Sequence, residues 1–244
     1  MTSRRIAWAL AATVVAAQIP YPLVHGEARN ALTVVTVIVF ALTSVVAASV
    51  SGRRWHGIAL LLVVGAGGFV AEVVGVHTGY PFGRYRYLDG LGTTAAGVPV
   101  VVPLAWVMMA QPAVAVARRV ASATATRIAV GAVALASWDV FLDPQMVDAH
   151  HWRWLHPALH LPGVEDIPLS NFGGWLLVSL VLVMVVQTWA RSASHDRPAT
   201  ALWLWTWLSS TLANLAFFNR PAVAAWGFAA MGIVGVPLLL KAAR

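Results

Sequence analysis

GIALLLVVGAGGFVAEVVGV, residues 57–76, is an apolar run broken by one acid, Glu72. It matches the roughly 20 residues a helix needs to cross about 30 Å of hydrocarbon, so it reads as a membrane-spanning helix. A carboxylate at a helix centre costs roughly 2.5 to 3.5 kcal/mol on insertion scales, and such a group normally faces a protein interior or a water-filled cavity. Asp139 repeats the pattern inside the run from Ile128 to Leu142. Each acid leads into an unusual polar loop, Val76-His77-Thr78-Gly79-Tyr80-Pro81-Phe82-Gly83-Arg84-Tyr85-Arg86-Tyr87 and Asp143-Pro144-Gln145-Met146-Val147.

Composition extends this reading to the whole chain. The 244 residues are 59% hydrophobic and only 10% charged, whereas a soluble domain carries about a quarter charged residues. Eight apolar runs are predicted to span, at about 6–24, 31–50, 57–76, 97–117, 127–142, 173–190, 199–218 and 222–240, the fifth being short. Runs of this length are helices, because barrel strands would be about 10 residues long and alternate in polarity. The expected fold is an all-α polytopic membrane helix bundle, one integral-membrane domain over residues 1–244. There is no coiled coil, low-complexity tail or internal repeat, and without cysteine no thiolate or disulfide chemistry.

Basic residues fall into alternate loops. Arg4, Arg5, Arg53, Arg54, Arg118, Arg119, Arg127, Arg191, Arg197, Lys241 and Arg244 lie at one set of ends, and Arg29, Arg84, Arg86, Arg153 and Arg220 at the other. The positive-inside rule then puts both termini in the cytoplasm of a multi-pass cell-membrane protein. Topology and anionic lipid account for the net charge of +7, and a nucleic-acid partner is not expected, since the basic groups form no single stripe. Arg4-Arg5 before an apolar stretch also resembles a signal peptide, but the run reaches Val24 and is read as a retained first helix. The same parity sends the loops after Glu72 and Asp139 and the turn at Asn219-Arg220 to one outer face.

Glu72 lies about one turn before its helix end, with His77 five residues on near the rim. Asp139 and Asp143 are four apart, hence on one helical face, with Trp138 beside them and Pro144 predicted to end the segment. Three carboxylates thus approach one interface, and like charges that close cannot all ionise, so one is expected as a neutral acid. Plainer roles compete: an acid can cap a helix or pair with arginine, Tyr80, Tyr85, Tyr87, Trp152 and Trp154 can form an interfacial belt, and Arg84 and Arg86 can meet lipid phosphates. Trp203, Trp205 and Trp207 read as belt or packing, and Gly65, Gly67 and Gly68 as close helix contact. His150, His151, His156 and His160 invite a metal, but Pro157 and Pro162 interrupt the stretch and no metal site is expected.

The ordered string is more specific than its parts. Glu72 to Tyr85, Gly97-Val98-Pro99, Val102-Pro103-Leu104-Ala105-Trp106, Trp138-Asp139, Leu142 to Val147, Trp152-Arg153-Trp154 and Asn171-Phe172-Gly173-Gly174-Trp175 together resemble the membrane carotenoid biosynthesis family, which includes carotenoid hydratases. The resemblance covers about residues 65–180 and departs at Gly163-Val164-Glu165-Asp166-Ile167-Pro168, where a Gly- and aromatic-rich stretch is expected. It implies addition of water to the terminal double bond of an acyclic carotenoid, giving a tertiary alcohol, with no cofactor. The implied partners are that carotenoid, water, membrane lipid and other enzymes of carotenoid synthesis.

Such a reaction needs a neutral proton donor, an electron-rich wall for a tertiary cation and one controlled water. Asp139 or Glu72 is expected as the acid, the other with Asp143 orienting or deprotonating water. His77 and Asn171 would position that water. Tyr80, Arg84, Tyr85, Trp138 and Trp152 would contact substrate. Two other classes compete: an intramembrane metal enzyme using Glu72, His77, Asp139 and the loop histidines, and a proton-coupled lipid or carotenoid transporter. A transporter would favour an inverted repeat and polar groups at the midplane instead of at one face.

Overall fold

The computed structural model describes residues 2–190 and 196–243; Arg191 and Arg244, two of the basic groups counted above, lie outside the described residues. The chain is an all-α bundle of α1 (Thr2–Gln18), α2 (Gly26–Ser51), α3 (Trp55–Thr78), α4 (Val102–Val120), α5 (Thr124–Ala136), α6 (Asp139–Asp148), α7 (Leu169–Ala190), α8 (Arg197–Ala216) and α9 (Pro221–Ala242). A 3-10 turn, Tyr21–Leu23, extends α1. Segments 3–23, 26–51, 55–78, 124–148, 169–190 and 221–242 are long and apolar enough to cross a membrane.

The two remaining rods are more polar for visible reasons. α4 is the central post, buried at every residue from Trp106 to Ala117 and packed on α2, α3, α5, α7, α8 and α9. A helix shielded by protein tolerates Gln111 in its middle. α8 carries Thr206, Ser209, Ser210 and Asn214, and Asp196 caps its start by accepting from the Ala199 N–H.

The fifth span differs from its sequence reading. It does not end at Pro144 but breaks at Ser137-Trp138 and restarts as α6, which carries Pro144 in its interior and runs to Asp148. The break comes before the proline, so a fresh helix starts at Asp139 and turns Asp139 and Asp143 inward together. α3 also runs to Thr78, past the expected end at Val76, and stops at Gly79, whose φ of +80° is the left-handed cap that glycine adopts freely.

The polar connections contain three short antiparallel ribbons: β1 (Tyr85–Tyr87) with β4 (Trp152–Trp154), β2 (Thr94–Ala95) with β3 (Val98–Pro99), and β5 (His160–Leu161) with β6 (Val164–Pro168). They gather at one end of the bundle. Arg220 of the α8–α9 turn pairs there with Asp148, and Trp226 bonds Pro162. At the opposite end Lys241 reaches the Val120 carbonyl, and Arg119 bonds Thr200. The ribbons and the α8–α9 turn thus lie at one end of the bundle, and the α4–α5 connection, the start of α8 and the end of α9 at the other.

This separation gives a direct test. Single cysteines at Thr93 and Ala149 should react with a membrane-impermeant reagent added to intact cells, and one at Ala123 only after permeabilisation. Labelling of 93 and 149 from opposite sides would break the shared-face topology.

Candidate active site

The β1–β4 ribbon builds the roof. Strand side chains alternate with period two, so Tyr85, Tyr87, Trp152 and Trp154 turn toward the bundle while Arg86 and Arg153 are exposed. Tyr85 pairs with Trp154 and Tyr87 with Trp152, at ring separations of 5.7 and 5.6 Å. Trp154 donates to the Phe82 carbonyl at 2.9 Å, tying the roof to the loop after α3.

Beneath it Glu72 is 5% exposed and is the acceptor for three side chains. Tyr85 and Tyr87 donate to Oε2 at 2.6 and 2.7 Å, and Trp106 donates to Oε1 at 3.0 Å. Burial, followed by the neighbouring Glu72 carboxylate, pushes both phenols above their ordinary range, so both stay protonated donors. Trp106 stacks on Trp175 at 3.8 Å, and Trp138 meets Trp175 edge-on at 6.0 Å.

Asp139 and Asp143 form the second polar group. The Asn171 amide donates to both, at 2.6 Å to Asp139 Oδ2, and Trp152 Nε1 donates to Asp143 Oδ1 at 3.1 Å. Asp139 Oδ1 is buried without a hydrogen-bond partner among the described residues.

A cavity of about 450 Å³ runs past these groups. Glu72, Asp143 and Asn171 supply polar lining, and Phe82, Tyr85, Trp106, Trp138, Trp152, Trp154 and Trp175 the aromatic wall. Asp139 is not part of that lining; it stands behind Asp143 and Asn171.

The carotenoid biosynthesis protein family matches residues 31–241. The chain belongs to that family. It is also 30% identical over 120 residues to the bisanhydrobacterioruberin hydratase of Haloarcula japonica, a match covering 47% of this chain and 39% of that protein. The chain therefore spans about two fifths of the length of that relative. No solved structure matches. Family membership and the apolar bundle together make this a membrane protein of carotenoid metabolism.

In this carotenoid biosynthesis protein, several expected residues do converge: Glu72, Tyr85, Trp138, Asp143, Trp152 and Asn171 all line the cavity. His77, Tyr80 and Arg84 do not, which corrects their expected placement. His77 is exposed and bonds Val73 O of its own helix at 2.8 Å, because five residues at about 100° each turn it some 140° away from Glu72. Tyr80 is 66% exposed and Arg84 is exposed. His150, His156 and His160 are exposed while His151 is buried, and no three His, Asp or Glu among the described residues gather as a metal-binding group.

The cavity wall also includes Phe82, Tyr87, Trp106, Trp154 and Trp175, to which the sequence alone assigns no site role. The alternation in Tyr85-Arg86-Tyr87 and Trp152-Arg153-Trp154 was the available signal for two of them.

Glycines make room for the Glu72 cluster, Gly68 against Trp106 and Gly75 against Tyr85. A Cβ on Gly75 would lie 2.8 Å from both the Tyr85 hydroxyl and Phe82 Cδ2. Gly75→Ala should therefore push Tyr85 off Glu72 and lower turnover about tenfold, near the 1.4 kcal/mol of one lost hydrogen bond, with normal membrane abundance. Wild-type turnover in this variant would mean that the Tyr85–Glu72 contact does not matter.

Proposed function

We propose that this protein is a hydratase that adds water across the terminal carbon–carbon double bond of an acyclic carotenoid. The observation that carries the reading is an aromatic, largely apolar cavity with carboxyl groups on its lining and, among the described residues, no charged group other than those acids. Family membership and the named hydratase relative agree with it.

Asp139 and Asp143, bridged by one amide, suit a pair that holds one proton: two like charges this close disfavour double ionisation, and a lone ionised Asp139 would bury an unpaired oxygen. Asp143 faces the cavity and is the proposed acid. Its proton passes to the less substituted alkene carbon, the π electrons forming the new C–H bond and leaving a tertiary cation. The faces of Trp106, Trp138 and Trp175 and the fixed Glu72 carboxylate stabilise that cation. Water adds to it, and the proton it sheds returns to the aspartate pair, so the net change is one water added. Asp139 and Asn171 hold the acid in position. The acid role expected of Asp139 or Glu72 moves to Asp143, because Asp139 stands behind the lining and both Glu72 oxygens already accept from Tyr85, Tyr87 and Trp106.

Expression in a host that makes an acyclic carotenoid tests the reading by pigment mass analysis. A product heavier by one water is expected. An unchanged pigment, or one that has gained oxygen without hydrogen, would overturn it.

A further inference from the structure

We infer that the cavity takes in only the end of a long linear polyene, through a side mouth that opens to the lipid between the end of α1 and α8. This rests on the proposed substrate class.

The volume sets the first limit. A cavity of about 450 Å³ is the size of a pocket for a compact, drug-sized ligand. A long linear polyene exceeds that, so part of it remains outside. The residues that both line the cavity and are exposed show where it leaves. They are Ile19 (61%), Leu23 (66%), Leu212 (58%) and Phe217 (54%).

All four side chains are pure hydrocarbon. Ile19 and Leu23 belong to the segment 3–23, which is apolar enough to cross a membrane, so this lip faces acyl chains. Leu212 and Phe217 form the facing lip at the end of α8. Trp205 of α8 donates to Gln18 of α1 at 2.7 Å and braces the two sides of the mouth. The mouth is continuous with the cavity that contains Glu72 and Asp143, so a chain end entering here is led to the acids while its remainder stays dissolved in hydrocarbon. An aqueous route would not need an apolar rim.

The chain has no native cysteine, which allows a clean test. Leu23→Cys and Leu212→Cys, on opposite lips, are each labelled with a bulky apolar maleimide in lipid nanodiscs. Leu62→Cys and Ile233→Cys, exposed on α3 and α9, serve as labelled controls. Binding of an acyclic carotenoid is read by quenching of tryptophan fluorescence, which does not depend on turnover.

Labelling at either lip should raise the apparent Kd about tenfold or more relative to the unlabelled form, and labelling of the controls should not. Equal binding by labelled lip and control variants would overturn the portal, as would failure of the unlabelled protein to bind the polyene. Blocked binding in a protein that never forms hydrated product would leave the portal standing and remove the hydratase reading instead.

Discussion

Asp143→Asn is expected to lower carotenoid hydration about a thousandfold, within the 10² to 10⁴ that a positioned general acid contributes. Asparagine keeps the shape and can still accept from Trp152 Nε1, with the Asn171 amide, which now donates to Asp143 Oδ2, turning its oxygen to the new NH2. It cannot give up a carboxyl proton. The variant should therefore remain in the membrane and still quench its tryptophans on binding substrate. Asp139→Asn should cost less, about tenfold to a hundredfold, because Asp139 acts through Asp143 and Asn171 and lies off the cavity lining. A split between retained substrate binding and lost turnover marks the chemical role, since a merely structural pair would lose both with the fold. Wild-type hydration by Asp143→Asn would remove Asp143 from the chemistry.

Glu72→Gln is the second large effect, about 10² to 10³ in turnover, as for loss of one fixed electrostatic partner of a transition state. The reason lies in its neighbours. Tyr85, Tyr87 and Trp106 all donate to it, and Trp106 has no acceptor to offer. A glutamine must aim its amide N–H groups at the tyrosines and keep its oxygen for Trp106, and it removes the negative charge that the proposed mechanism asks of Glu72. Tyr87→Phe removes one donor while keeping the ring against Trp152, and a milder loss is expected. Glu72→Gln that binds substrate and turns it over normally would make Glu72 a structural acceptor only.

The two intramembrane acids stood out in the sequence because charge inside a 20-residue apolar run is costly enough to demand a partner. The pairing of Asp139 with Asp143 was legible from their spacing of four. The partners that satisfy them were not. Glu72 is held by residues 13, 15 and 34 positions further along the chain, and the roof forms by pairing Tyr85–Tyr87 with Trp152–Trp154, contacts that no local period encodes. His77 lies close to Glu72 along the chain but not in space, because the helical phase of α3 turns it outward. Pro144 does not end its helix: α6 starts afresh at Asp139, carries the proline past its first turn without that backbone N–H, and runs on to Asp148.

The most direct measurement is the source of the added oxygen. Purified protein in nanodiscs, given an acyclic carotenoid in heavy-oxygen water under argon, should form a tertiary alcohol that carries the heavy isotope, one per hydrated end. A product that forms only in air and takes its oxygen from labelled dioxygen would contradict hydration by the aspartate pair.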